Sequence, residues 1–380
     1  MAKQGFRIWI SPPHLSGKEM HFIEEAFEEN WITTLGNNVS GFENDLESYL
    51  NHPAKQVLAL NSGTVAIHLA LILAGVEKDD YVICQSFTFA ATANPIMYMG
   101  AKPVFVDSEE KTWNLSPEYT EKAILACIEK GRKPKAILAV DLYGMPADYD
   151  ALSAVADKYK IPLIEDAAES LGSSYKGRMC GTFGQMAILS FAGNKIITTS
   201  GGGALVTSDE KEAERALFFA TQAKDNRPHY EHSMIGYNYR ISNILAGIGR
   251  GQMTVINERV EKRRSNHRYY QEAFKEIKGI TVFSEPNDDY RSNHWLSCIL
   301  IDPKQTGKDR EAVRLHLANQ GIESRPVWKP MHLQPVYQHF DFFGDGTSEQ
   351  IFEQGLCLPS GSQLSDEDLK EITTTICDVL

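Results

Sequence analysis

Between residues 56 and 208 the chain alternates short apolar runs with longer amphipathic segments, and no other feature constrains its fold as strongly. Gln56–Leu60, Tyr81–Cys84, Pro103–Val106, Ala136–Val140, Pro162–Ile164, Ala187–Phe191 and Ala204–Thr207 have the composition of strands, and several end at Gly, Ser, Asp or Asn. Val65–Ala74, Ala90–Met99, Pro117–Lys130 and Tyr149–Tyr159 have helical spacing and length. Strands that alternate with helices imply an α/β fold with a mostly parallel sheet covered on both faces. In such sheets ligands gather beyond the carboxyl ends of the strands, so the loops there are the places to look for chemistry.

Ahead of this block, Ser16-Gly17-Lys18-Glu19 matches a capping box and predicts a helix to about Glu29. Behind it, Asn243–Phe274 is a long, mainly helical stretch rich in Arg, Lys and Glu. From about Ile280 a strand (Trp295–Ile301), a helix (Arg310–Asn319) and loops suggest a smaller α+β domain, and 380 residues suit two domains better than one core.

A net charge of −12 argues against nucleic acid or an anionic membrane surface as a partner, without forbidding an anionic ligand in a locally positive pocket. The six cysteines lie far apart with no CxxC pair, which fits neither a zinc site nor a disulfide framework and points to a reducing compartment. The opening MAKQGFRIWISPPH lacks the apolar stretch of a signal peptide, and no later segment approaches ~18 consecutive apolar residues. A cytoplasmic location is expected.

Three loops stand out. Asn61-Ser62-Gly63-Thr64 lies between a strand and a helix, where small residues let backbone N–H groups approach an anion; the alternative is a plain turn with Thr64 as helix cap. Ile164-Glu165-Asp166-Ala167-Ala168-Glu169 runs an apolar strand into acids at the mouth of the sheet, either to hold a cationic nitrogen or simply to be solvated. In Ser190–Gly203 one lysine, Lys195, sits in a Gly-rich and otherwise uncharged loop. Burial there would favour the neutral, nucleophilic amine of a Schiff-base former, although a lone lysine near glycines is commonly a surface residue. The Gly run fits neither GxxxxGK[ST] nor GxGxxG. Together, a phosphate cup, an acid and an amine are what pyridoxal phosphate requires: an anchor for its phosphate, a carboxylate for its ring nitrogen and an amine for its aldehyde.

The segments WITTLG (31–36), LNSGTVAIHLAL (60–71), SFTFAATANPI (86–96), EDAAESLGS (165–173), SFAGNKIITTSGGG (190–203) and GYNYRISNILAGI (236–248) resemble, in order, the DegT/DnrJ/EryC1/StrS family of sugar aminotransferases. The resemblance implies the fold-type I architecture of pyridoxal-phosphate-dependent transferases, with a large domain over residues 15–250 and a small C-terminal domain over 251–380. It places Lys195 as the lysine that holds pyridoxal 5'-phosphate and Asp166 beside the pyridine nitrogen. Gly63, Thr64 and Ser190 match phosphate contacts, Phe89 an aromatic ring against the cofactor, and Glu169 a cofactor-facing position that is Gln in many relatives. Asn238 matches a residue reaching the phosphate of the neighbouring subunit, which implies a homodimer with two shared sites. The intact Lys195 argues against the family's dehydratase offshoot, which carries His there, while Ala192 departs from an Asn common in the close branch. Lys329 and His332 lie in a stretch resembling the active-site mouth and are candidate contacts to the sugar or its diphosphate. His332 has no second ligand at metal spacing, so no metal is expected.

The resemblance further implies glutamate as amino donor and a nucleotide-linked keto sugar as acceptor. Glu169 and the 190–203 loop favour a UDP-linked 4-keto-6-deoxy-N-acetyl hexosamine of the bacillosamine-precursor type. The alternatives are GDP- or dTDP-linked 4-keto sugars, 3-keto sugars, or a non-catalytic regulatory relative.

Overall fold

The computed structural model describes residues 5–52 and 56–380. In chain order the helices α1 (Glu19–Glu28) and α2 (Asn37–Leu50) precede β1 (Gln56–Leu60), α3 (Gly63–Leu73), β2 (Tyr81–Gln85), α4 (Ala90–Tyr98) and β3 (Lys102–Val106). Then come α5 (Pro117–Glu129), β4 (Ala136–Val140), α6 (Tyr149–Tyr159) and β5 (Leu163–Asp166). A short hairpin, β6 (Ser174–Tyr175) and β7 (Arg178–Met179), leads to β8 (Met186–Ser190), β9 (Gly203–Thr207) and α7 (Glu210–Ala220).

The strands assemble into one eight-stranded sheet in the order β1-β9-β8-β5-β4-β2-β3, closed at the far edge by β14 (Phe342–Phe343). Only β9 runs against the rest, pairing antiparallel with both β1 and β8. All five residues of β4 are buried. Strands covered on both faces need continuous apolar runs rather than alternation, which is why these segments stand out in the sequence. On one face α3, α4 and α7 pack Leu69, Ile96 and Phe219 against Leu60, Cys84 and Leu138. On the other, α5 and α6 pack Ile124 and Leu152 against Ile83, Val104 and Ile137. At the β1 end, α2 and α8 (Asn243–Met253) close a third cluster around Phe42, Leu46 and Leu189.

After α8, α9 (Ile256–Phe274) carries the chain into a second sheet, β10 (Ile280–Val282)-β12 (Ser297–Ile301)-β15 (Gly355–Leu358)-β13 (Arg325–Pro326), antiparallel throughout. β11 (Tyr290–Arg291) pairs instead with β6, and the short helices α10 (Pro303–Thr306) and α12 (Thr347–Gln354) lie between strands of the second sheet. α11 (Arg310–Asn319) and α13 (Asp366–Val379) cover it, burying Val313, Leu317, Ile372 and Ile376 with Ile299 and Leu356. Residues 331–343 return to the large sheet, where Met331 and Tyr337 join its core and β14 pairs with β3.

The stretch 243–274 is mainly helical, as expected, in two helices separated at Thr254 and Val255. Two local expectations are revised. The Ser16 box is half formed: Glu19 accepts the N–H groups of Ser16 and Gly17, but Ser16 Oγ accepts from Lys18, and helix α1 starts at Glu19. β5 begins one residue later than expected and extends through both acids. Among the described residues, no helix is long and apolar enough to cross a membrane.

Candidate active site

β1, β5 and β8 end at the same edge of the large sheet, and a cavity of about 280 Å³ opens there. Gly63, Thr64, Phe89, Asp166, Glu169, Ser190 and Lys195 all line it, although they come from four separate stretches of chain.

The loop after β1 supplies one end. Ser62 caps α3 by accepting from Val65 N, so Thr64 is not the cap and its side chain is left to the cavity wall. The first N–H groups of α3 have no partner within the helix and carry its positive dipole end. Gly63 favours the close approach: a Cβ there would lie 3.2 Å from Ser190 Cβ, a tight contact that would push the two apart by a few tenths of an ångström.

β5 supplies the acids, and its period of two sends them apart. Glu165 turns away from the cavity and accepts the N–H groups of Gly181 and Phe183 at 2.6 and 2.7 Å. Asp166 faces it, with Oδ2 accepting from Thr92 Oγ1 at 2.7 Å and Oδ1 from Ala168 N at 3.2 Å. Burial pushes the Asp166 carboxyl above its ordinary range, opposed by the Thr92 hydrogen bond and the nearby Lys195. A buried carboxylate with spare acceptor capacity is a receptor for a cation.

Lys195 follows β8. Its Nζ lies 3.3 Å from Glu169 Oε1 and 4.1 Å from the centre of the Trp295 indole. The loop is therefore uncharged only in sequence, because an acid from another strand end meets its lysine. The second oxygen of Glu169 accepts from Tyr143 N at 2.7 Å. Burial raises the Glu169 pKa, with Lys195 and the Tyr143 N–H pulling it back.

Tyr143 is buried with φ at +56°, a left-handed conformation that an aromatic residue adopts at a cost. Its ring stacks near Trp295 and Trp328, and its hydroxyl accepts from Trp328 N at 2.8 Å. Phe89 is half exposed and tilts against Trp328 at 5.2 Å. Thr92, Tyr143, Trp295 and Trp328 escaped the sequence reading. Thr92 lies inside SFTFAATANPI and Trp328 inside the stretch of Lys329 and His332, so both could have been found there, whereas Trp295 carries no local signal.

Three further expected residues do not line this cavity, one of them, Asn238, expected at the neighbouring subunit's site. Asn238 is exposed, off the cavity wall, and its carbonyl accepts from Asn61 Nδ2. Lys329 is exposed and does not line the cavity. His332 is engaged on all sides: Nδ1 meets Ser86 Oγ at 2.7 Å, Nε2 meets Glu349 at 3.2 Å, and the ring stacks on Phe342 at 3.7 Å. That is the environment of a structural histidine bracing the 331–343 segment. Elsewhere His267, Glu285 and His294 gather within 4.8 Å, but the imidazoles stack face to face at 3.5 Å and Arg264 already pairs with Glu285.

A cavity at the carboxyl edge of a largely parallel sheet, with a helix N-terminus, a buried carboxylate and a lysine on its wall, defines a fold-type I enzyme of pyridoxal phosphate. The chain belongs to the DegT/DnrJ/EryC1/StrS aminotransferase family, whose profile matches residues 13–377. It is 48% identical over 366 residues to EpsN of Bacillus subtilis, named as a pyridoxal phosphate-dependent aminotransferase, covering 95% of this chain and 93% of that one. It is 37% identical to GDP-perosamine synthase of Escherichia coli O157:H7, with 97% of each chain covered. Among solved structures, a DegT DnrJ EryC1 StrS aminotransferase from Brucella abortus superposes with a TM-score of 0.88 at 32% identity over 95% of each chain. The protein is thus a pyridoxal-phosphate-dependent sugar aminotransferase. Its residues fit the cofactor: the buried Asp166 carboxylate, with acceptor capacity left beyond Thr92 and Ala168, suits a ring N–H, and the Gly63–Ser190 approach makes a cup for the phosphate.

Proposed function

We propose that this enzyme moves the amino group of glutamate to C4 of a UDP-linked 4-keto-6-deoxy-N-acetyl hexosamine, as a homodimer with two shared sites. The observation that carries this reading is the acid at Glu169, buried beside Lys195 where many relatives have Gln. Phe89 and Trp328 offer an apolar wall for the 6-methyl group of such a sugar. A GDP-linked 4-keto sugar is the second reading, favoured by the likeness to GDP-perosamine synthase.

Bound pyridoxal phosphate supplies a protonated ring that draws electrons from the substrate Cα. In this proposal Asp166 keeps the ring nitrogen protonated, while the N–H groups of Gly63 and Thr64 with the Ser190 hydroxyl hold the phosphate. Phe89, on the same wall, would lie against the ring. Lys195 would hold the cofactor's aldehyde, and its amine, once free, would be the general base and acid for the proton on the substrate Cα. Glu169, pinned by Tyr143 N, keeps the released amine in reach of that path. Asn238 serves the neighbouring subunit. Its exposure, and that of Tyr230 and Ile235 on the same segment at 81% and 85%, is consistent with a covered face in a dimer. Lys329, also exposed, is left as a contact to the diphosphate.

The test is a panel of acceptors with glutamate: UDP-linked 4-keto-6-deoxy-N-acetylglucosamine beside GDP- and dTDP-linked 4-keto-6-deoxy sugars lacking the acetamido group. Groups that bond an amide reject its absence more strongly than an apolar wall rejects an added hydroxyl. Loss of the acetamido group should therefore cost more in kcat/KM than restoring the 6-hydroxyl. Equal turnover without it, or an amine at C3 by NMR, would sink the substrate assignment and leave the aminotransferase standing.

A further inference from the structure

Both substrates of this reaction are anions, and the cofactor cavity is poorly charged to receive them. Its charged lining side chains among the described residues are Asp166, Glu169 and Lys195, two acids and one amine. The amine is already paired with Glu169. A carboxylate or a diphosphate arriving there would meet net negative charge.

A second cavity, of about 480 Å³, adjoins the first and shares Asn194, Trp295 and Trp328 with it. Residues 9–12 form one side and β13 the other. Its lining is largely apolar and aromatic, with a single convergent charge pair, Arg325 and Glu323. The Arg325 side chain is 64% exposed, and its Nε and Nη2 both donate to one oxygen, Glu323 Oε1, at 3.0 and 2.7 Å. Glu323 is buried, and its other oxygen accepts Ile10 N at 3.1 Å. The guanidinium is thus aimed by a fixed acid while Nη1, without a partner among the described residues, is left for an oxyanion.

We propose that Arg325 is an oxyanion receptor for the substrates, taking a carboxylate of the amino donor or, with Lys329, the diphosphate of the sugar nucleotide. This rests on the two-substrate reading above. Lys195 lies against Trp295, which walls both cavities, so a substrate reacting at the lysine extends its anionic end past that indole toward Arg325. Glu323 positions the guanidinium and at the same time competes with the ligand for it.

The test uses the holoenzyme with Arg325→Gln, Arg325→Lys and Glu323→Gln in two arms. One arm follows cofactor bleaching against glutamate concentration, with no sugar present. The other measures binding of UDP and of GDP by calorimetry. Arg325→Gln should weaken one arm by about tenfold or more, the scale of a charge-assisted fork, and Arg325→Lys should restore part of it. Loss in the glutamate arm identifies the carboxylate, and loss in the nucleotide arm the diphosphate. Glu323→Gln keeps an acceptor for Ile10 N but removes the competing charge, so it should tighten the same arm severalfold, an effect that a merely structural ion pair does not produce. If Arg325→Gln fails to fold, Glu323→Gln decides alone. Changes under twofold in both arms for Arg325→Gln, or no tightening with Glu323→Gln, would overturn the assignment. Neither arm needs a keto sugar, so failure here is distinct from failure of the proposed acceptor.

Discussion

Asp166→Asn separates charge from shape at the centre of the cavity. The native carboxylate is 4% exposed and accepts from Thr92 and Ala168 N. Asparagine has nearly the same volume and keeps an oxygen for Thr92, giving up only the longer bond from Ala168 N, so the fold should survive while the charge facing the ring nitrogen is lost. Removing one preorganised electrostatic partner costs about 2.7–4 kcal/mol in the transition state, or ~10²–10³-fold in turnover. The lower end is expected, because the amide oxygen can still accept a hydrogen bond. Single-turnover bleaching with glutamate measures it. Stability supplies an independent sign. Burial raises the Asp166 pKa, and a carboxyl raised in the folded state contributes stability that is present below its unfolded value and lost as pH rises through the folded one. At about pH 7 this buried carboxyl therefore costs stability in the cofactor-free protein, and Asp166→Asn should raise its Tm. That advantage should shrink as pH falls toward about 4, where the unfolded carboxyl also takes up its proton. Near-normal turnover, or a cofactor-free variant no more stable than the native protein at neutral pH, would refute the reasoning.

Lys195→Ala should abolish transamination, and borohydride treatment of the native holoenzyme should fix the cofactor to Lys195 in a peptide map; a label on another lysine would overturn the assignment. Mixing Lys195→Ala subunits with an inactivating Asn238 variant should restore part of the activity, since each hybrid keeps one undamaged site if Asn238 acts across subunits. Hybrids that form and stay inactive rule out that geometry. Tyr143→Phe removes the acceptor of Trp328 N and should cost about 1–3 kcal/mol, read as a lower Tm. An unchanged Tm would mean that water satisfies the N–H instead.

The strands of the large sheet were legible because strands buried on both faces must be apolar without interruption. β1 and β4 begin and end where composition places them. α2 falls where the sequence reading has no helix. Gly41 and several asparagines weaken its propensity, and tertiary packing overrides that: a Cβ on Gly41 would lie 2.6 Å from Arg250 Nε, so the glycine admits the side chain that comes across from α8. In the site, the strand-end acids, the Ser62–Thr64 turn and the lone lysine of a Gly-rich loop are local patterns, and local patterns survive in sequence. Partner choice does not. Glu169 meets Lys195 across 26 residues, and His332 meets Ser86 across 246. His332 thereby became a brace, and Trp295 became the wall between two cavities. The sequence by itself determined the order of elements and the residue types available at the mouth of the sheet, because helix and strand periodicity depend on near neighbours. Only the tertiary structure decided which buried polar group satisfies which, because that requires the facing side chain, and the facing side chain comes from a distant part of the chain.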